Sequence, residues 1–346
     1  MPARARVRIP ELDGLRALAV LAVIAFHFTS AWPRPIAHLD FSLGWAGVDL
    51  FFVLSGFLIT GILLRTRAEA GYYRRFYTRR ARRIFPLVGL LLVVYAVCTA
   101  LAGPFPWKLF GMYATFLTTF VPSNSWLAAN TSLPEWVGHG VGVLWTLSVE
   151  EWFYVLWAPA MHRWSERTLA GICLAALIVA PVLRLAMHGP GTPEYYFFFS
   201  RIDAPAWGAL AALAWKHGSH RLAAAAHRAA IAGITAVAAV TVFGGQTGLL
   251  FAAVGYTVLD FACAAVLIAA LTQAHRRPWT WLRTPTLGRL GIISYGLYLV
   301  HQPIYSLVGM LPLNVMVQGG LALTLSIALA SLSWRYFESP ILNRQP

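Results

Sequence analysis

The chain has 346 residues, 58% of them hydrophobic and 12% charged, with a mean hydropathy of +0.63. Soluble domains run about 45–50% apolar and about 25% charged, so this composition excludes an ordinary water-soluble fold. The formal net charge of +14, from 27 Lys+Arg against 13 Asp+Glu, could suit nucleic acid. The arginines, however, sit in short links between apolar runs, as the positive-inside rule asks of cytoplasmic loops.

The N-terminal MPARARVRIPELDGLRALAVLAVIAFHF has the basic start and apolar stretch of a signal peptide. Its basic part is long and carries Glu11 and Asp13, no small-residue cleavage site is obvious, and many apolar runs follow. It reads as an uncleaved first span. At about 20 residues per crossing, the apolar runs predict spans over 14–31, 45–64, 84–102, 143–162, 168–187, 200–216, 229–244, 249–271, 289–308 and 315–335. The segment 105–121 is apolar but short.

Loop charge sets the expected topology. Arg34 alone lies between the first two spans, whereas Arg65, Arg67, Arg74, Arg75, Arg79, Arg80, Arg82 and Arg83 lie between the second and third. Arg163 and Arg167, then Lys216, Arg221 and Arg228, then Arg276, Arg277 and Arg283, then Arg344 mark every other link thereafter. This alternation holds only if 105–121 does not cross. The predicted fold is therefore an all-α membrane bundle of about ten helices, with both termini cytoplasmic and 105–121 re-entrant or along the outer surface. It forms one domain over 1–346 in the cell membrane, passing through it many times. Cys98, Cys173 and Cys263 lie in apolar runs without a C-x-x-C pair and read as small core residues.

Ionisable groups within spans are costly and are functional candidates by default. Arg16 and His27 share the first helix, eleven residues and about 16 Å apart, close to three whole turns, so they face nearly the same way. Asp49 lies in the outer part of the second span, beside Gly44, Gly47, Ser55 and Gly56, whose small size allows close helix packing. WTLSVEEWFY at 145–154 places Ser148, Glu150 and Glu151 near the outer side. Arg201 and Asp203 open the next outer helix end, where an ion pair between them is the simplest role. Tyr295 and Tyr298 precede His301, which lies at about the depth of His27. Arg335, Tyr336 and Glu338 end the last span. Each could be structural taken singly. Together, histidines and carboxylates at one depth predict an intramembrane polar chamber suited to taking a proton from a hydroxyl. The eight-arginine link suits phosphate groups on the opposite side.

The residues also carry a resemblance. Arg16-x10-His27, GWAGVDLFFVLSGFLIT at 44–60, RRARRIFP at 79–86, WTLSVEEWFY at 145–154, RIDAPAWGAL at 201–210, GIISYGLYLVHQP at 291–303 and RYFESP at 335–340 occur in the order of the bacterial acyltransferase-3 membrane O-acyltransferases. The chain resembles the stand-alone type, without a fused esterase-like domain. Thr146 stands where the family often has serine and Trp152 where it often has a polar residue; neither falls on the proposed chemistry.

The resemblance implies transfer of an acyl group, most simply acetyl, from cytoplasmic acyl-CoA to a hydroxyl of a sugar, glycan or glycosylated small molecule such as a macrolide. It implies no metal and no nucleic acid. Acyl-CoA would dock its phosphates on Arg79, Arg80, Arg82 and Arg83, with Arg16 at the channel mouth. His27 would be the general base, and Glu150 or Asp49 would orient it. Tyr295, Ser148 or His301 would hydrogen-bond the thioester oxygen. A covalent acyl-histidine and direct attack are both open. The competing classes are a proton-coupled transporter of a small polar solute, a lipid-linked glycosyltransferase, for which Asp40 and Glu135 are too isolated, and an intramembrane serine protease built on Ser55.

Overall fold

The computed structural model describes residues 8–31, 42–103, 105–121, 135–189 and 193–343, and all regular structure among them is helical. Arg34, Asp40 and Arg344 of the sequence argument lie outside the described residues. Helix α1 (Pro10–Ala31) carries Glu11 and Asp13 in its first turn, where carboxylates suit the positive end of the helix dipole. Arg8 and Arg16 reach Asp13 at 2.5 and 3.4 Å, and Arg283 reaches Glu11 at 3.2 Å. A 3-10 stretch, Ser42–Ala46, leads into α2 (Gly47–Thr66). Gly71, at φ +73°, then turns the chain into α3 (Tyr72–Ala102), a left-handed conformation that glycine adopts without Cβ strain.

Helix α3 begins twelve residues before the expected third span. Nothing between Tyr72 and Ile84 breaks a helix, so the arginines from Arg74 to Arg83 occupy helical turns rather than a loop. The segment 105–121 forms α4 (Trp107–Ala114) and a 3-10 turn, Leu117–Phe120, broken at Phe116 with φ +56°. An eight-residue helix covers about 12 Å, well short of the ~30 Å hydrocarbon core, so α4 does not span by itself. The segment is stapled to the bundle: Thr118 Oγ1 lies 2.8 Å from Ser148 Oγ, and Trp152 Nε1 donates to the Phe116 carbonyl at 2.9 Å.

Next come α5 (Glu135–Gly142), α6 (Leu144–Arg163) and α7 (Glu166–Met187). Ser165 caps α7 by accepting from the Thr168 amide, as N-cap serines do. The expected spans 200–216 and 229–244 are two helices that meet at a kink at Gly218, labelled together α8 (Asp203–Gly244). The remaining helices are α9 (Tyr256–Thr272), α10 (Pro285–Gly309), α11 (Val315–Ser333) and α12 (Ser339–Asn343), with single π-helical turns at Phe251–Gly255 and Trp334–Glu338. Among the described residues, seven helical stretches are long and apolar enough to cross a membrane. Helices α6 and α10, of 20 and 25 residues, are as long but more polar.

Helix α1 packs on α10, α10 on α11, α2 on α8, and α8 on α9. The α2–α8 crossing is set by two glycines. A Cβ on Gly56 would overlap the Pro205 carbonyl, and one on Gly208 would overlap the Val53 carbonyl. Without a hydrophobic drive between helices in lipid, such close backbone contact supplies dispersion energy that larger residues would forfeit.

Candidate active site

Helices α1, α2, α3, α6 and α10 line an open cavity of about 750 Å3, counted with the solvent space at its mouth. Each contributes one face, and its polar groups recur at helical spacing: Arg80 and Arg83 on α3, Thr146, Glu150 and Tyr154 on α6, Ser294 and Tyr298 on α10. Arg16, Arg80 and Arg83 form one end. Arg80 Nε is buried without a hydrogen-bond partner, and its guanidinium lies 5.8 Å from the centre of the Tyr154 ring. Glu150 is the one lining carboxylate among the described residues. It accepts from Ser55 Oγ at 2.5 Å and from Tyr154 Oη at 3.3 Å.

Beyond the opposite end lie two histidines. His27 Nδ1 is 2.9 Å from His301 Nε2, and the rings are 5.1 Å apart. His301 Nδ1 is 2.6 Å from the Tyr298 carbonyl. A carbonyl can only accept, so Nδ1 of His301 carries its proton and Nε2 of the neutral ring is a bare acceptor. Nδ1–H of His27 must then be the donor, which leaves His27 Nε2 with its lone pair free. One backbone carbonyl thus fixes the tautomers of two imidazoles in series. His301 is fully buried and His27 partly exposed.

Between the arginine end and the histidines stands a layer of hydroxyls. Thr146 Oγ1, with one proton to give, lies 2.9 Å from the Val143 carbonyl and 3.0 Å from Tyr298 Oη; Tyr298 Oη lies 3.3 Å from the same carbonyl. The Tyr298 ring is 5.7 Å from His301 and 6.3 Å from Phe51.

The expected site residues divide accordingly. His27 and His301 meet, as their common depth predicts. Glu150 does not orient His27, because it belongs to the arginine end. Asp49 does not either: it is fully buried in an ion pair with Arg201. The expected Arg201–Asp203 pair is likewise replaced by two crossed pairs, since Asp203 accepts from Arg184 at 2.9 Å. Ser148 bonds Thr118 and the Leu144 carbonyl, Tyr295 donates to the Ile84 carbonyl at 2.8 Å, and both His301 nitrogens are engaged. The donors of all three are engaged by other groups of the protein. Of the four arginines at 79–83, Arg80 and Arg83 line the cavity, whereas Arg79 is exposed and Arg82 is half-buried outside the lining. Tyr154 and Thr146 were not picked out from sequence. Their signal was present as the i, i+4, i+8 run Thr146–Glu150–Tyr154 on a largely apolar helix.

A family model described as an acyltransferase domain, of the acyltransferase-3 type, matches residues 9–335. The chain is 29% identical to the peptidoglycan O-acetyltransferase OatA of Listeria monocytogenes, covering 97% of this chain and 56% of that protein. It is 26% identical to the O-acetyltransferase OatA of Staphylococcus aureus, covering 97% and 57%. It is 29% identical to YrhL of Bacillus subtilis, a putative peptidoglycan O-acetyltransferase, covering 96% and 55%. The chain thus spans little more than half the length of these relatives. No solved structure matches it.

Proposed function

The chain belongs to this acyltransferase family, and from that premise we propose that it is a multi-pass membrane O-acyltransferase using acyl-CoA, most simply acetyl-CoA, to esterify a hydroxyl of a glycan or glycosylated small molecule. The observation that carries the chemistry is the fixed tautomer chain Tyr298 carbonyl–His301–His27, which presents a bare imidazole nitrogen at His27 Nε2. That nitrogen is the general base for the acceptor hydroxyl. An imidazole can take a proton near neutral pH and return it, so His27 also protonates the departing CoA sulfur and the cycle leaves no net proton behind.

The donor enters from the arginine end. Three cavity guanidiniums, one of them also paired with Asp13, face a single lining carboxylate, a wall suited to phosphoryl groups, whose oxygens guanidinium forks match in pairs. The reach is adequate. Arg16 and His27 lie about 16 Å apart along α1. A pantetheine arm has about as many backbone-like bonds as four extended residues, roughly 13–14 Å. A thioester held by its phosphates near Arg16 therefore comes within bonding range of the histidines. The glycan-modifying names of the relatives favour a sugar hydroxyl as acceptor. The transporter alternative has no support from the family match.

The test uses the purified protein in detergent. Wild type binds acetyl-CoA and hydrolyses it slowly; Arg80→Ala loses affinity; His27→Ala keeps affinity and loses turnover. Absence of acetyl-CoA binding by folded wild type would refute the reading.

A further inference from the structure

The thioester oxygen needs hydrogen-bond donors when the carbonyl carbon becomes tetrahedral, and the three groups expected for that task are committed elsewhere. The hydroxyl layer is not yet assigned. Building on the acyl-CoA reading above, we infer that Thr146 and Tyr298 form the oxyanion site of this bundle.

Four observations converge on these two side chains. They line the cavity that holds the arginine end, so a thioester entering there meets them. They lie at its histidine side, because Tyr298 and His301 are three residues apart on α10, on one helix face, with ring centres 5.7 Å apart. They sit on different helices yet touch at 3.0 Å, so their two O–H groups can converge on one oxygen. Finally, both rest on a shared substitute acceptor, the Val143 carbonyl, at 2.9 and 3.3 Å. That carbonyl stands at the N-cap of α6. A buried hydroxyl without an acceptor is costly, and the Val143 carbonyl lies within reach of both. The 3.3 Å contact is long for an O–H···O bond, so Tyr298 gives up little in turning to a substrate oxygen. Ser294, the other small hydroxyl of the lining, is held by the Gly291 carbonyl within its own helix.

The acceptor oxygen forms a bond to the thioester carbon while its proton passes to His27 Nε2. The carbonyl π pair moves onto the oxygen, where Thr146 Oγ1–H and Tyr298 Oη–H receive it. On collapse that pair re-forms C=O and the C–S bond breaks. The proton on His27 Nε2 goes to the sulfur, giving an ester and a free thiol. Donors preset toward developing charge act in a water-poor site without reorganisation, which is why loss of one typically costs about 10²–10³ in kcat.

The experiment compares acetyl-CoA turnover by wild type, Tyr298→Phe, Thr146→Val and Thr146→Ser in detergent, with acetyl-CoA affinity and thermal unfolding measured on each. We expect Tyr298→Phe and Thr146→Val each to lower kcat about 100-fold with affinity within a factor of about two. Thr146→Ser, which keeps the hydroxyl, retains most of the rate. Wild-type kcat in both deletion variants, or a loss confined to affinity, overturns the assignment. So does Thr146→Ser falling as far as Thr146→Val, because the residue would then act by shape. Should Tyr298→Phe fail to fold, the two threonine variants decide alone. A wild type that binds no acetyl-CoA points instead at the acyltransferase reading, so the two failures are distinguishable.

Discussion

His301 contacts no substrate in this scheme, yet its removal should cost activity by a calculable amount. Its Nε2 is the acceptor for His27 Nδ1–H at 2.9 Å. In His301→Ala that proton loses its partner whenever His27 holds the base-competent tautomer. An unsatisfied buried donor costs roughly 1–3 kcal/mol. At 1.36 kcal/mol per tenfold, the competent form falls by about 5- to 150-fold, and kcat with it, while acyl-CoA affinity stays near wild type. His301→Gln offers a side-chain carbonyl to the same proton and should recover part of that loss. Adding His301→Ala to His27→Ala should cost nothing further, since the two histidines act as one unit. The assay is single-turnover thioester consumption at saturating acetyl-CoA, with binding measured separately. Wild-type kcat in His301→Ala would refute the tautomer argument, as would His301→Gln being no better than His301→Ala.

Arg80→Ala should weaken acyl-CoA binding about tenfold or more and flatten its salt dependence, whereas Arg79→Ala, on the exposed side of α3, should leave titration curves unchanged. Gly208→Val forces a side chain into the Val53 carbonyl; overpacking costs about 1–3 kcal/mol, and little monodisperse protein should survive size-exclusion chromatography. Asp49→Ala removes the bonded carboxylate of a fully buried arginine, Arg201, and leaves only buried Asp260 near it, so thermal unfolding should report a loss of up to about 3–5 kcal/mol, with the surviving folded fraction still binding acetyl-CoA. Ser148→Ala should keep wild-type turnover, because Ser148 holds only Thr118 and its own helix.

The positions of the helices were legible because lipid leaves only one signal, apolar length, and the chain carries it clearly. The non-crossing of 105–121 followed from loop charge and agrees with the eight residues of α4. Links between helices were not legible. The 65–83 stretch looked like a loop because its charge is topogenic, but arginine and alanine are good helix formers, and α3 extends through it. Gly218 interrupts α8 without opening a long link. At the site, depth along each helix was readable from residue count, and it brought His27 and His301 together. Direction around each helix was not, since polar residues are too sparse on these helices to mark a face. Depth without direction is why Asp49 and Glu150, both rightly placed as interior carboxylates, were assigned to the wrong partner.

The same missing coordinate separates structural from functional charge in this bundle. Arg184 and Arg201 are fully buried, each with a bonded carboxylate, and Arg184 also donates to the carbonyls of Ala252 and Ser200 at 2.8 and 2.6 Å. Each holds a carboxylate and neither lines the cavity, so their removal is a folding event. Arg16, Arg80 and Arg83 share a cavity with one carboxylate, Glu150, which is already held by Ser55 and Tyr154. Asp13 also pairs with Arg16 from behind the lining, but within the lining the three cations face one carboxylate, and an anion entering the cavity meets guanidiniums the fold has already desolvated. Burial alone would rank Arg201 above Arg80 as a functional residue. A place in the cavity wall reverses that order, and it comes from packing between helices that no single-sequence pattern records.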